Sequence, residues 1–312
     1  MKAQIDIFHS IGVPLMASRV SLQNMLVGKN EELKQIAGQA WEEREKIVNH
    51  MTNRYNDYGT TIRLCNEYLP HLMKIVANLD HFEWTGTPNF RWESCLHVQQ
   101  RVARSNARDR ETFALEISFV CLLKAFSLYN YTKLQLKGLN ICDPKLEQPL
   151  TEAAKDLLEA SGLCLYAAKT ELPRVDKSDN TSRKPPQEIS ELTMEGFSLM
   201  FKAQAEMLGL EKGLNKGTKK ASLARVAKHI SETMNQANLL MRKGIAQPEL
   251  KGMKSEVHDY TRAMGRLYEA FAWSLHGDGF VENPDNIKIK QACGGARAAK
   301  DILKDHAKLF AQ

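Results

Sequence analysis

Positively charged side chains recur along one short stretch of the chain, between residues 212 and 228. They alternate with apolar residues there: Lys212, Lys216, Lys219, Lys220, Arg225 and Lys228. Cations grouped in this way attract acidic peptides or anionic lipid surfaces. Lys219 and Lys220 fall in the predicted first turn of a helix, where the helix dipole disfavours each cation by about 0.3–1 kcal/mol. Because the fold gains nothing from that placement, one interpretation is a binding role. The other is that these lysines are simply solvated.

Residue patterns that carry catalysis are not found in the sequence. It has no HExxH zinc-protease motif and no GxSxG nucleophile motif. The glycine-rich run GLNKGTKK lacks the Gly-Lys-Ser/Thr ending of a phosphate-binding loop, and no predicted strand precedes it. The nine histidines show no metal-ligand spacing with cysteine or aspartate. The sequence therefore predicts a protein that is not an enzyme, with no catalytic residue, no metal site and no cofactor.

Two helices and a tight connection, over residues 194–229, are predicted to position these lysines. The first helix is predicted to run to about Leu210. Its large apolar residues fall near one face: Phe197, Met200, Phe201 and Leu208. Gly209, Gly213 and Gly217 are then expected to loosen the backbone.

The second helix is predicted to start near Thr218. One apolar stripe runs along it: Leu223, Ala227, Ile230 and Met234. A second set of residues lies beside that stripe: Ser222, Val226 and His229. The two helices together form a candidate antiparallel hairpin with a basic connection.

The composition of the whole chain is that of an ordinary globular protein. It has 312 residues, of which 43% are hydrophobic and 26% are charged, and a net charge of +6. These values are sufficient for a substantial core. The mild positive charge permits acidic partners, whereas the aromatic–basic and Cys/His signatures of nucleic-acid binding are not found. We therefore predict no nucleic-acid partner.

Helical periodicity predicts an all-α protein of eight or nine antiparallel helices, with no β-alternation of useful length. Residues 113–131 are apolar nearly all round and predict a central buried helix. Glu116 and Lys124 interrupt it, and the uninterrupted apolar run is expected to be too short to span a bilayer, which needs roughly 20 residues. Residues 151–171 predict another helix, with these residues facing inward: Ala154, Leu157, Leu158, Leu165 and Ala168. The clearest helical period covers residues 253–275.

The N-terminal third is predicted to contain three helices. A short amphipathic helix is expected over residues 16–28, followed by a longer helix that Asn30 caps and that continues to Tyr58. A third helix follows Gly59, and Pro70 is expected to kink or split it.

An aromatic-rich break follows over residues 81–96, with Trp84, Phe90 and Trp92 close to glycine and proline. It predicts a loop whose aromatic side chains pack against the body. A binding surface is the alternative, since aromatic side chains often anchor partners.

Cysteine usage and the N-terminus both predict a cytoplasmic protein. The six cysteines are scattered without a CxxC pair, which is typical of buried thiols in a reducing compartment. A disulfide set in a secreted chain is the alternative. Asp6 and His9 interrupt the first apolar residues, so no signal peptide is predicted.

Several segments, taken together, resemble one known family. They are NFRWESCL (89–96), the buried helix that begins ETFALEISF (111–119), FKAQAEML (201–208) and KASLARVA (220–227). In this order, over about residues 60–305, they are similar to the segments of the Bro1 domain, which occurs in Alix-type proteins, Rhophilin and the short Brox proteins. The chain resembles the Brox branch most, in its length and in its NFRW segment.

The resemblance implies a fold and a function. The fold is a curved helical array with TPR-like antiparallel hairpins, forming a single domain over residues 1–312. The implied function is that of a non-enzymatic adaptor, cytoplasmic and peripherally associated with endosomes. It would bind the C-terminal amphipathic helix of an ESCRT-III subunit, a charged multivesicular body protein, in a hydrophobic groove.

Carried onto this chain, the groove positions fall at Leu208 or Gly209, and then at Ser222 and Val226. Ser222 stands where the family has a large aliphatic residue, and Gly209, in its register, replaces an aromatic one. The predicted partner-binding residues are Leu208, Leu210, Ser222, Leu223 and Val226. The six cations named above form the predicted basic rim.

A second hypothesis uses the same cations for a different partner. A peripheral scaffold would bind anionic membrane through them, with about 1 kcal/mol for each lysine near the surface. A third hypothesis, an unrecognised helical enzyme, has no positive support in the sequence.

Overall fold

Helices dominate the computed structural model, which describes residues 13–16, 26–54, 57–86, 90–93, 95, 102–105, 110–137, 139, 144–175, 189–245, 256–281 and 294–301. The long helices in these ranges are α1 (Glu31–Arg54), α2 (Tyr58–Ala77), α3 (Arg110–Leu136), α4 (Glu147–Tyr166), α5 (Glu191–Asn215), α6 (Lys220–Ile245) and α7 (Glu256–Val281). Residues 294–301 are also helical. The helices form a curved all-α array, which confirms the predicted fold class.

Each long helix packs against the next one along the chain. Helix α5 has α4 and α6 on its two sides, and α3 and α7 behind it. The rings of Phe126 on α3 and Phe197 on α5 meet edge to face with centroids 5.0 Å apart. Gln204 on α5 donates from Nε2 to the Tyr260 hydroxyl on α7 over 2.9 Å. One side of α5 is therefore buried, and the opposite side is free to face solvent.

Helix α3 is the centre of the fold, as the sequence predicts. Every residue from Glu116 to Asn130 is buried. Among the described residues, Phe113–Leu136 is the one stretch long and apolar enough to cross a membrane, and 94% of its apolar window is buried inside the protein. The whole helix is therefore long enough to cross a bilayer, whereas the prediction concerned only the uninterrupted apolar run within it. Its burial among neighbouring helices is what identifies it as a core helix.

Short strands accompany the helices in the N-terminal third: β1 (Leu15–Met16), β2 (Leu26–Gly28), β3 (Phe82–Trp84), β4 (Phe90–Glu93) and β5 (Val102–Ser105). Strand β4 pairs antiparallel with β1 and β5, and β2 pairs antiparallel with β3. The predicted helix over residues 16–28 is wrong at both of its described ends, and the predicted loop over 81–96 contains β3 and β4. Strands of two to four residues are too short to show alternation, so only pairing with distant segments defines them.

A buried carboxylate, Glu116 on α3, joins three other elements. It accepts hydrogen bonds from Arg44 Nε on α1 (2.8 Å), from the Tyr68 hydroxyl on α2 (3.1 Å) and from Trp92 Nε1 on β4 (2.5 Å). The guanidinium of Arg44 also lies 5.2 Å from the centre of the Phe90 ring. Burial alone would lower the pKa of Arg44, but the adjacent Glu116 carboxylate raises it above its ordinary value. Phe90 and Trp92 thus pack against the body, as predicted.

Side-chain caps begin the N-terminal helices. Asn30 Oδ1 accepts the Leu33 N–H at 2.9 Å, which confirms the predicted cap of α1. Helix α1 ends at Arg54, earlier than predicted.

Pro70 lies inside an unbroken α2, so the predicted split is wrong. The carbonyl that loses its partner belongs to Asn66, an exposed residue, where water can replace the hydrogen bond.

Three of the cysteines are buried thiols outside any disulfide: Cys65, Cys121 and Cys164. Burial raises the pKa of the Cys121 thiol to about 12. It also raises the pKa values of the Cys65 and Cys164 thiols. These thiols are therefore protonated and unreactive at neutral pH, which fits the prediction of buried thiols.

Candidate functional site

A glycine turn joins α5 and α6 into an antiparallel pair. Gly217 has a φ of 67°, in the left-handed region that glycine adopts without strain. Its N–H donates to the Leu214 carbonyl over 3.1 Å, and the Thr218 N–H donates to the Gly213 carbonyl over 2.9 Å. This is the Schellman pattern that ends a helix. Helix α6 then begins at Lys220, two residues later than predicted.

Gly209 and Gly213 lie inside α5, which continues to Asn215. The prediction that this helix ends near Leu210 is therefore wrong. A Cβ atom at Gly213 would lie only 2.8 Å from Cδ2 of Leu223 on α6. A side chain at Gly213 would therefore require the end of the Leu223 side chain to move.

A second glycine has the same role at the far end of the pair. A Cβ at Gly196 would lie 2.6 Å from Met241 Cγ and 3.1 Å from the carbonyl oxygen of Ala237, both on α6. Gly196 and Gly213 are about 25 Å apart along α5. Packing of α6 onto both glycines offsets their cost to the helix, which is about 1 kcal/mol each.

Three of the predicted partner-binding residues lie in the core. The exposed fraction is 1% for Leu208, 1% for Leu210 and 4% for Leu223. A buried side chain cannot contact a partner in this conformation. These leucines instead hold the α5–α6 pair together beneath its surface.

The other predicted positions lie on one open face, the hairpin surface, formed by Gly209, Ser222 and Val226. All three are exposed, and a Cβ at Gly209 would meet no atom within 4 Å. His229 Nε2 lies 3.4 Å from Glu206 Oε1. Because α5 and α6 are antiparallel, Gly209 and Val226 each lie one turn from that contact, on the same side. Of the two ways to carry the Bro1 groove position onto this chain, exposure therefore favours Gly209 over Leu208.

Two cations of the predicted rim face α4. Lys212 and Lys216 lie 3.0 Å and 2.5 Å from Glu147 Oε1, and Lys212 also donates to Thr151 Oγ1 over 3.0 Å. Hydrogen bonds from Lys216, and then from Lys212, lower the pKa of Glu147 below its ordinary value. These two lysines are thus partly neutralised within the fold.

The other four cations are divided between different sides of α6. Lys220 lies 3.7 Å from Asp278 on α7, and Lys228 lies 3.5 Å from Glu232. Lys228 is two residues from Val226, so the two side chains point to different sides of the helix. Lys219 lies one turn before Ser222, on the same side, and both Lys219 and Arg225 are exposed. The predicted rim is therefore not one continuous band around the hairpin surface.

Two leucines that were predicted to face the core lie on the surface instead. Leu158 is 52% exposed and Leu165 is 43% exposed, both on α4. They are seven residues apart and so share one side of the helix. Ala168 and Leu157 are buried as predicted, and Ala154 is half-buried. A stripe drawn through Leu157, Ala160 and Cys164 instead would have indicated that the leucines lie at the edge of the buried face.

The described part of the chain offers apolar contact and positive charge more than reactive groups. No group of three or more His, Cys, Asp or Glu side chains there is placed to hold a metal ion. Within these residues the exposed groups of the hairpin surface are apolar or small side chains on two closely packed helices.

Comparisons with known proteins identify the fold. No protein-family model and no curated protein sequence matches the chain. Solved structures do match. Alix in complex with the SIVmac239 PYKEVTEDL late domain has a TM-score of 0.73 and 17% sequence identity, over 97% of this chain and 42% of the other. The chain thus spans less than half the length of that protein.

Two further structures extend the comparison. The complex of the Alix BRO1 domain with CHMP4C has a TM-score of 0.73 and 18% identity, over 97% of this chain and 80% of the other. A structure reported as the basis for endosomal targeting by the Bro1 domain has a TM-score of 0.60 and 12% identity, over 98% of this chain and 87% of the other. The chain therefore has the fold of Bro1 domains. The narrower resemblance to Brox remains a prediction.

Proposed function

We propose that this chain is a non-enzymatic adaptor that binds an acidic amphipathic helix of an ESCRT-III subunit on the hairpin surface. One observation carries the proposal most directly. Gly209, Ser222 and Val226 share an exposed side of two helices that glycines hold in close contact. The Bro1-domain fold adds support, because one similar structure is a complex with CHMP4C.

The surface suits a helix with one large apolar stripe. Val226 is 38% exposed and offers an apolar contact, while the open space at Gly209 has room for a bulky side chain of the partner. Ser222 is small and polar, so it contributes less apolar area than an aliphatic residue would. The partner therefore supplies the larger side chains at this contact.

Positive charge near the surface favours an acidic partner. Lys219 is exposed beside Ser222, and Lys202 is 47% exposed on α5. Such charges speed encounter and discriminate against basic partners more than they increase affinity. An adaptor of this kind would act in the cytoplasm, at the endosomal membrane where ESCRT-III assembles.

Binding of a peptide with the sequence of an ESCRT-III C-terminal helix tests the proposal. The variant Val226→Asp places an unpaired charge at the contact, and we expect it to weaken binding at least tenfold, about 1.4 kcal/mol. Leu239→Asp is the matched control, because Leu239 is a 50% exposed leucine on another side of α6. Equal affinities of wild type and Val226→Asp would refute the assigned surface.

Liposome co-sedimentation separates this proposal from membrane binding. The adaptor is expected to bind the peptide without anionic lipid. Adsorption that needs anionic lipid, together with no peptide binding, would favour the peripheral scaffold instead. Ion pairing of Lys212, Lys216 and Lys220 within the fold reduces the charge available to a membrane.

A further inference from the structure

We propose that a second surface, on the side of α5 away from the hairpin surface, binds an arginine side chain of a partner protein. This surface, the rear seam, lies between α5 and α7. It is formed by Gln204 and Glu211 on α5 and by Tyr260, Leu267 and Phe271 on α7. The inference goes beyond the proposed function, because an adaptor with two separate surfaces can hold two partners at once.

Contacts between the helices set the position of the rear seam. Helices α5 and α7 both run antiparallel to α6 and therefore parallel to each other. Gln204 Nε2 donates to the Tyr260 hydroxyl over 2.9 Å. Seven residues further along each helix, Glu211 is level with Leu267. Glu211 also lies about 200° around α5 from Gly209, so the rear seam and the hairpin surface face different directions.

The first observation is a carboxylate that the fold leaves without a cation. On the same helix, Glu195 pairs with Lys169 at 2.7 Å, and Glu206 lies 3.4 Å from a histidine of α6. Glu211 is half-buried, and no cation of the described residues forms an ion pair with it. Burial alone raises its pKa above the ordinary value of 4.5. Glu211 is therefore a partly desolvated anion that suits an incoming positive charge.

The second observation is an acceptor oxygen on the same side of α5. Gln204 is 0% exposed, and its amide nitrogen donates to the Tyr260 hydroxyl. Within the part of the chain that the structure describes, its amide oxygen Oε1 has no hydrogen-bond donor. A buried acceptor without a donor is unfavourable. Gln204 and Glu211 thus both leave acceptor oxygens unused, which favours a partner that brings N–H groups.

The third observation is an apolar stripe on α7 that is only half covered. Tyr260, Leu267 and Phe271 follow helical spacing, and each is half-buried. Tyr268 beside them is 2% exposed, and its ring meets that of Phe271 edge to face with centroids 6.2 Å apart. Burial, and then the Glu211 carboxylate, raise the pKa of the Tyr268 hydroxyl. The unpaired anion therefore lies close to aromatic side chains.

A carboxylate beside aromatic rings suits the guanidinium group of arginine. Guanidinium binds a carboxylate through two parallel N–H bonds, and it also stacks on aromatic rings. It is more weakly hydrated than the ammonium group of lysine, so it loses less hydration on entering a half-buried site. The chemistry of the rear seam therefore favours arginine over lysine.

The length of the stripe indicates a protein segment as the source of the arginine. Tyr260 and Phe271 are separated by about 16 Å along α7. Free arginine is shorter than this distance and would leave most of the apolar stripe uncovered. A segment with apolar residues on both sides of its arginine covers the stripe while the guanidinium reaches Glu211. The partner is thus a protein segment that presents one arginine among apolar side chains.

Selection from a phage-displayed library of random peptides of about 16 residues tests the rear seam. The bait is Val226→Asp, so that peptides for the hairpin surface are disfavoured. We expect the enriched peptides to share an arginine with apolar residues on both sides. If no peptide is enriched, or if the enriched peptides share no arginine, the proposal is wrong.

Affinity measurements with one enriched peptide assign the contact. We expect Glu211→Gln to weaken binding at least fivefold, and exchange of the peptide's arginine for citrulline, its uncharged isostere, to do the same. Both changes together are expected to weaken binding no more than either alone, because each removes the same ion pair. Glu232→Gln is the control, since Glu232 is exposed on α6 and pairs with Lys228, and we expect it to bind like wild type. Wild-type affinity of Glu211→Gln would overturn the proposal.

Thermal unfolding separates a binding role of Glu211 from a structural one. Because its pKa is raised on folding, the ionised carboxylate disfavours the folded state as pH rises above about 4.5. We therefore expect the Tm of Glu211→Gln at pH 7 to equal or exceed that of wild type. A lower Tm would mean that the carboxylate stabilises the fold through a partner of its own, which contradicts the proposed role.

Discussion

Around Glu116 four elements meet through charged hydrogen bonds, whereas between α5 and α6 two helices meet through glycines and apolar side chains. The first centre contains Arg44, Tyr68 and Trp92, all buried. The second contains Gly196 and Gly213, each with a side chain of α6 packed onto it. The N-terminal part is thus held together by directional polar contacts, and the hairpin surface by close packing.

The difference has consequences for the two regions. Buried ions depend on their partners, because an unpaired buried charge is far less stable than one in water. Glycine contacts impose no such dependence, but added volume is costly where backbone is close, as at Gly196, where a Cβ would lie 3.1 Å from the Ala237 carbonyl oxygen. Polar contacts make the fold around Glu116 specific, while α5 and α6 pack closely and keep Gly209, Ser222 and Val226 exposed on their outer side.

The largest effect is expected from Glu116→Gln. It leaves the Arg44 charge buried without its carboxylate, so we expect the free energy of unfolding to fall by about 3–5 kcal/mol. Urea denaturation measures this change. Glu152→Gln is the control, because Glu152 pairs with Lys155 on an exposed surface, where a salt bridge contributes about 0–1 kcal/mol. Equal losses in the two variants would contradict a structural role for the buried network.

A smaller loss is expected from Gly196→Ala. Although alanine favours helices, the added Cβ would lie 3.1 Å from the Ala237 carbonyl oxygen, and we expect a loss of about 1–3 kcal/mol. Gly162→Ala is the matched variant, since its Cβ meets no atom within 4 Å, and we expect it to gain about 0.5–1 kcal/mol. Thermal unfolding of both variants gives the sign of each change. A gain in both would show that α5 and α6 are not held at glycine distance.

Binding should respond to Ser222→Leu in the opposite direction from Val226→Asp. The larger side chain adds apolar area to the hairpin surface, and we expect affinity for the peptide to rise about threefold to tenfold. Because Ser222 is exposed, unfolding is expected to change little. Titration calorimetry on both variants checks this, and an unchanged affinity would place the contact elsewhere.

The smallest effect is expected from the ion pairs of Glu147. Its folded pKa lies below the ordinary value of 4.5, with Lys216 and then Lys212 as the causes. A lowered pKa means that this contribution to stability is present above about pH 4.5 and is lost as pH falls through the folded pKa. The difference in Tm between wild type and Glu147→Gln is therefore expected to be constant from pH 5 to pH 7 and to shrink below pH 4. A difference that grows on acidification would contradict the assigned ion pairs.

Much of the fold could be predicted because its signals are local. The helical stripe of α7, through Val257, Met264 and Leu275, is buried as expected. The cap at Asn30 and the buried helix α3 could also be predicted, since each signal depends on residues within a few turns. The end of α5 near Leu210 was wrongly predicted, because packing against α4 and α6, which the local sequence does not show, accompanies the helix to Asn215.

The sequence by itself determined where most of the long helices lie, which side of most of them is apolar, and that the chain resembles Bro1 domains. Only the tertiary structure decided that Leu208, Leu210 and Leu223 are covered, and that Leu158 and Leu165 are not. It also decided that lysines close in sequence point toward α4, α7 or solvent. The physical reason is that helical periodicity specifies a direction around one helix axis, whereas exposure depends on which neighbouring helix lies in that direction.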